Sequence, residues 1–438
     1  MENLLPCLDK LVSFSSVNNP IENAKPSRDI LDYINDQILA PLDYESLFYE
    51  ENGYWSLLSY IPRLKPTILF LGHCDVVPPG PKWETDPFQL TIKDGKAYGR
   101  GSADMKGAVA VMLSLAEFFK NNGTASIVYA INLDEESGGS YGAGQLLSIL
   151  KEKNLVPDYV VNGDANGLQI VNRRRNPYVI TFNLKKCVKK IRGRKNSGTF
   201  RTKIVDDRTM HAAYFNKEMD VHCADLASQF LVKNDYKVQK ITGVFVKSNV
   251  LPSEITVDYI VPDRTSEEVH KYDENLTRFL IAVSNLKNVE LTSDYSDYGI
   301  NLTFNYYREE RENHMCQLDL RIMSNDHEVI HQYFENFSKK YLIESDVESK
   351  GSIGPVNTPI DSKFVKKCIE VAERMKLLST PIEMGGATDS RWFSANNIPS
   401  IEFGPLGGNV HGSNEYVEID SLDVVKTFYK LLYQSLQG

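Results

Sequence analysis

The stretch Thr67-Ile68-Leu69-Phe70-Leu71-Gly72-His73-Cys74-Asp75 begins as an unbroken apolar run and ends in side chains that carry chemistry. The apolar part reads as a buried strand, as does Ile127–Leu133 further on. Ile30, Leu31, Ile34 and Ile38 keep helical spacing, and residues 105–120 read as an apolar helix. Gly138–Gly144 is a glycine-rich loop. Strands alternating with helices predict an α/β layer structure over the first part of the chain.

From about Ile170 the texture changes. Between Arg173 and Lys203 there are twelve Lys/Arg and no Asp or Glu. Strand-like runs follow at Gly243–Val246, Ile255–Val261, Asn301–Tyr307 and Gln317–Ile322. Between them lie helical patterns at Asp220–Val232, Ser266–Val283 and Asp326–Tyr341. Strand runs with a few helices predict a separate α+β domain. Gly351–Pro359 reads as a linker, after which a helix over Phe364–Ala372, a strand at Ser400–Phe403 and a closing helix at Ser421–Leu436 restore the α/β texture. The expected organisation is one discontinuous α/β domain, residues 1–175 and 355–438, with an α+β domain at 176–354 inserted.

Composition narrows the function classes. A chain of 438 residues has room for two or three cores. With 42% hydrophobic and 24% charged residues it is globular rather than disordered. The longest apolar stretches fall well short of the ~20 residues that a membrane helix needs. A net charge of −9 argues against a dedicated nucleic-acid binder. Cys7, Cys74, Cys187, Cys223, Cys316 and Cys368 form no CxxC pair, which points away from a disulfide framework or a zinc ribbon. No basic-then-apolar leader pattern opens the chain, so a cytoplasmic location is expected.

At the end of the Thr67–Leu71 strand, His73 and Asp75 point to the same side. This suits a metal-ligating imidazole held by a carboxylate, and equally a core histidine near a surface aspartate. Other polar groups recur at comparable places. Gly99-Arg100-Gly101-Ser102-Ala103-Asp104 sets an aspartate in a glycine-flanked turn. Ile127–Leu133 runs into Asp134-Glu135-Glu136, Tyr159–Val161 into Asn162-Gly163-Asp164, and Asn409-Val410-His411 comes late in the chain. Adjacent carboxylates repel unless a cation neutralises them. Open α/β sheets gather their ligands at such strand ends.

These segments (GHCDVVPPGPKWETDPF, DGKAYGRGSADMKGA, NLDEESGG, TDSRWF and HGSNEYV) resemble those of the zinc-dependent aminoacylase and carboxypeptidase family. That family includes acetylornithine deacetylase, succinyl-diaminopimelate desuccinylase, aminoacylase and glutamate carboxypeptidase. The resemblance covers residues 60–170 and 355–438. It implies a catalytic domain with a mixed sheet flanked by helices, and an inserted α+β domain that serves as lid and dimerisation surface. It also implies two zinc ions, although cobalt or manganese suits the same donors. His73 and Asp164 would hold one metal and Glu136 and His411 the other, with Asp104 bridging both. Asp75 would orient His73. Glu135 would be the general base, taking a proton from the attacking water and passing it to the leaving amine. Asp164 stands where several deacylases have glutamate.

For the insert the resemblance is looser. Met210-His211-Ala212-Ala213-Tyr214 is similar to the motif whose histidine supports the oxyanion in the partner subunit's site, so a homodimer is implied. Lys247–Pro252, with Asn249, and Asp319-Leu320-Arg321 resemble lid segments that touch substrate. Arg391 is a candidate clamp for a substrate carboxylate, with a structural ion pair as the alternative.

The basic stretch 173–203 reads either as a solvated sheet face or as an attractor for an acidic substrate or carrier protein. The Gly138–Gly144 loop lacks dinucleotide spacing, there is no P-loop and no GxSxG, and Cys74 reads as packing. The expected activity is hydrolysis of an amide next to a free carboxylate, as in N-acyl-amino-acid deacylation of the acetylornithine or succinyl-diaminopimelate type. The alternatives are a metallo-carboxypeptidase or dipeptidase acting on short peptides and, in another class, a non-catalytic binding protein on the same scaffold.

Overall fold

A computed structural model of the protein describes residues 4–205, 210–291 and 299–437. The chain forms two compact units, Met1–Arg174 with Pro355–Gly438, and Arg175–Gly354.

The first unit is built on a nine-stranded mixed sheet. At its centre Ala125–Asn132, Leu64–His73, Tyr159–Asn162 and Ser400–Glu402 lie side by side and parallel. Tyr54–Ile61 and Glu45–Glu51 extend one flank antiparallel, and Val171–Arg174 continues the other. Every residue from Thr67 to His73 is buried, as is all of Ala125–Asn132, which is why both read as unbroken apolar runs. Parallel strands end on one edge of the sheet, so His73, the Asp134–Glu136 turn and Asp164 emerge together.

Helices cover this sheet. Gly107–Ser114 is apolar all round and buried over Gly107–Leu113. The closing helix Ile419–Leu436 buries Leu422, Val425, Phe428, Tyr429, Leu432, Tyr433 and Leu436, a stripe at three- and four-residue spacing. Phe428 stacks on Phe403 at 3.8 Å between ring centroids, and Tyr429 meets the strand residue Phe70 edge-on at 5.5 Å. Each such side chain contributes roughly 1.5–3 kcal/mol on burial. A small sheet of Gly407–Gly408, Tyr416–Glu418, Lys96–Tyr98 and Thr91–Lys93 draws the loops 99–106 and 409–415 together.

The second unit holds two four-stranded antiparallel sheets. One is ordered Lys237–Gly243, Glu254–Pro262, Val188–Arg201, Val269–Asp273, the other Asn301–Glu309, Asn313–Ile322, Asn176–Lys185, Ser345–Gly351. The helices Cys223–Asn234, Glu274–Val283 and His327–Lys340 accompany them.

Two expectations for this region are corrected. The helix expected over Ser266–Val283 begins only at Glu274. Val269–Asp273 is instead a strand paired with Val188–Arg192, and the Asp273 carboxylate caps the helix by accepting the Leu276 N–H at 2.9 Å. The strand expected at Gly243–Val246 lies earlier, at Lys237–Gly243, because its partner is Glu254–Pro262. The basic stretch forms two long strands, Asn176–Lys185 and Val188–Arg201. Several of its cations meet acids: Lys186 lies 2.8 Å from Glu309, Arg201 3.0 Å from Glu254 and Arg174 2.5 Å from Glu402.

Candidate metal centre

The sheet edge and two loops together supply the candidate ligands. His73 is the last residue of its strand and sits opposite Asn132, from which Asp134-Glu135-Glu136 follows. Asn162 pairs with Leu71, and Asp164 lies two residues beyond it. Asp104 comes from the turn after Gly101, whose φ is +83° and where a Cβ would press to 2.7 Å from Val76. His411 itself has φ +62°, a conformation a non-glycine residue adopts rarely and one concentrated at functional sites.

These elements bring the side chains into two overlapping groups, His73 with Asp104 and Asp164, and Asp104 with Glu136 and His411. Within each group the candidate ligand atoms all lie within 4.8 Å of one another. Asp104 turns a different oxygen to each imidazole: Oδ1 is 3.1 Å from His73 Nε2 and Oδ2 is 3.1 Å from His411 Nε2. His411 Nε2 is also 3.2 Å from Glu136 Oε2. Ligand atoms about 2.0–2.2 Å from a tetrahedral ion stand roughly 3–3.5 Å apart, so the donor set fits divalent metals.

Second contacts set the imidazole for that task. His73 Nδ1 donates to the backbone carbonyl of Asp75 at 3.0 Å, with the Asp75 carboxylate 3.4 Å away. Because Nδ1 keeps its proton on that carbonyl, Nε2 is the nitrogen that a metal would take. The Asp75 carboxylate also accepts the backbone N–H groups of Glu135 at 3.2 Å and Glu136 at 3.0 Å, and the Asn18 amide at 2.8 Å. It therefore braces the turn that carries both glutamates.

Electrostatics give the second reason for a cation. Burial, with the charges of Asp164, Asp389 and Glu136, pushes the Glu135 carboxyl well above the carboxylate range, against the pull of His73. Burial and Asp104 raise Asp164 to about 7, with Arg174 opposing. Glu136 and Asp104 lift His411 to about 12 although burial opposes this. Burial also disfavours the charged forms of His73 and Asp104, yet their mutual contacts hold the imidazole well up and the carboxyl far down. A buried acid cluster of this kind recruits protons where divalent cations can bind instead.

Two supports were missed in the sequence. Glu415 and Arg100, each 1% exposed, form a 2.6 Å ion pair beside the loops of Asp104 and His411. Both stand inside the quoted motifs, and an arginine and a glutamate in ligand-bearing loops were the available signal. Arg174 donates to the Asp164 backbone carbonyl at 2.5 Å while paired with Glu402.

Arg391 is 5% exposed, with its terminal nitrogens donating to Thr388 O at 2.8 Å and Gly138 O at 2.5 Å. It thereby braces the turn after Glu136. In the second unit His211 and Asn249 come together. His211 Nδ1 accepts the Ala213 N–H at 3.1 Å, and Nε2 lies 3.1 Å from the Asn249 amide. Arg321 forks onto Asp319 at 2.6 and 2.8 Å, buried.

The mixed α/β sheet thus presents paired histidine and carboxylate side chains, donors suited to divalent metals, at its strand ends. The sequence pattern of Peptidase family M20/M25/M40 matches residues 69–435, and the chain belongs to that family, whose members are metal-dependent hydrolases of amide bonds. The chain is 24% identical over 446 residues to a succinyl-diaminopimelate desuccinylase of Herminiimonas arsenicoxydans, covering 100% of both. Its fold is shared with the aminoacylhistidine dipeptidase of Vibrio alginolyticus, at TM-score 0.72, 15% identity and coverage of 99% of this chain and 96% of that one. It is shared too with an M20 family metallo-carboxypeptidase of Sulfolobus solfataricus, at TM-score 0.63, 18% identity and 99% of each chain. Among the described residues no helix is long and apolar enough to cross a membrane.

Proposed function

We propose that the protein is a two-metal deacylase that hydrolyses the amide of an N-acyl amino acid, of the succinyl-diaminopimelate or acetylornithine type. The observation that carries this is the pair of ligand groups sharing Asp104, one with His73 and Asp164, the other with Glu136 and His411. Zinc suits these donors, and when bound such ions acidify water and polarise a carbonyl.

The chain's own residues supply the rest. Glu135, next to a ligand yet not in either group, is the general base: it takes a proton from the attacking water and delivers it to the leaving amine nitrogen. Asp75 holds the Glu135 backbone and the His73 ring in register. With Nδ1 accepting from Ala213, neutral His211 keeps its proton on Nε2 and can donate to a developing oxyanion. That donation is assigned to the site of the partner subunit in a homodimer formed through the inserted unit. A cytoplasmic location accords with the six cysteines, all free thiols.

The test is amine release by metal-loaded protein from N-succinyl-diaminopimelate, N-acetylornithine, other N-acyl amino acids and dipeptides. The proposal expects kcat/KM for an N-acyl amino acid to exceed that for any dipeptide. Preference for dipeptides would replace deacylation by peptidase activity, and turnover of none would remove the hydrolytic assignment on this panel.

A further inference from the structure

We infer that Glu415 and Arg100 are positioning residues that set the affinity of the Glu136–His411 side of the centre by locking two loops together. The inference rests on the two-metal reading above.

The candidate ligands differ in how they are anchored. His73, Glu136 and Asp164 follow strands of the main sheet directly, so the sheet's ladder places them. Asp104 and His411 ride on loops, 99–106 and 409–415, and need another anchor. One buried carboxylate supplies it. Glu415 Oε1 accepts the backbone N–H groups of Ala103 and Asp104, both at 3.0 Å. Its Oε2 accepts the Gly101 N–H at 3.0 Å and Arg100 Nη1 at 2.6 Å. Four donors thus converge on one side chain from the loop that carries Asp104.

Arg100 closes the link in the other direction. Its Nη2 donates at 2.9 Å to the carbonyl of Gly412, the residue after His411, and at 3.2 Å to that of Pro79. Trp83 lies against the guanidinium, 5.3 Å from ring centroid to Cζ. Stability alone is a weak reason for such a pair, since buried ion pairs barely repay their desolvation. Charge-assisted, forked bonds do fix geometry, and partners of ligands typically govern metal affinity by about 10–100-fold.

Glu415→Gln puts an amide donor among four donors and so breaks half of the lock whichever way it turns. The experiment titrates chelator-stripped protein with cobalt(II), following visible absorbance and competition with a chelating dye, for wild type, Glu415→Gln and His411→Ala. The last variant marks which binding step belongs to the His411 group. Because Asp104 serves both groups while His411 adds a second loop-borne member to one of them, Glu415→Gln is expected to weaken both steps, the His411 step the more, by about 10–100-fold. Arg100→Lys, which keeps the charge but loses the fork, is expected to do the same and serves if Glu415→Gln fails to fold. Unchanged affinities, or an equal fall in both steps, would overturn the inference while leaving two-metal binding intact. A wild-type chain that takes up no cobalt would overturn the proposed function and this inference with it.

Discussion

The Asp75 carboxylate accepts the backbone N–H of Glu135, Oδ1 to nitrogen 3.2 Å. The same residue's carbonyl takes the His73 Nδ1 proton at 3.0 Å, so one buried aspartate aligns a ligand and the proposed base. Replacing it with alanine should lower metal affinity or kcat/KM by about 10–100-fold. Competition titration and steady-state kinetics on Asp75→Ala check this.

Glu135 is proposed as base and not as ligand, which separates two readouts. Glu135→Gln should keep the metal content of the wild type while kcat falls by about 10²–10⁴-fold. Metal analysis of the purified variant beside its kinetics tests both halves. A variant that loses metal would make Glu135 a ligand instead.

The acid cluster also predicts a pH effect in the metal-free protein. Burial and Asp104 raise Asp164 to about 7, above the roughly 3.9 of an unfolded aspartate. Between those values the folded state holds more protons than the unfolded one, so this group's contribution to stability falls as pH rises from about 4 to about 7. Melting curves of chelator-treated protein from pH 5 to 8 should show that fall, and bound zinc, which takes the place of the proton, should flatten it.

The oxyanion role of His211 has a mixing test. His211→Ala alone should lower kcat by about 10²–10³-fold, the scale for one lost oxyanion donor. Mixed with Glu135→Gln chains and allowed to exchange subunits, it should regain activity, because one site of the hybrid then has both groups. No regain, or a monomer mass by light scattering at every concentration, would count against donation across a dimer.

Much of this proposed centre was legible in the sequence because each candidate ligand follows a feature that announces itself. His73, Glu136 and Asp164 sit just past apolar runs, and Asp104 follows a glycine that must turn with positive φ. Glu415 and Arg100 were not legible as a pair, since only the small sheet joining Lys96–Tyr98 to Tyr416–Glu418 brings residues so distant in sequence together. Arg391 reads in sequence as a carboxylate clamp or an ion-pair member; its bonds to the Thr388 and Gly138 carbonyls depend on tertiary packing. In the second unit helical spacing misled over 266–273, where pairing with Val188–Arg192 overrode the local pattern.

The central claim is that two groups sharing Asp104 hold two metals for hydrolysis. Its most direct test titrates chelator-stripped protein with zinc while following both bound metal and amine release from N-acyl amino acids. The account predicts uptake that saturates near two ions per chain, with activity returning as the ions bind. No metal uptake, saturation near one ion per chain, or full activity in the stripped protein would contradict it.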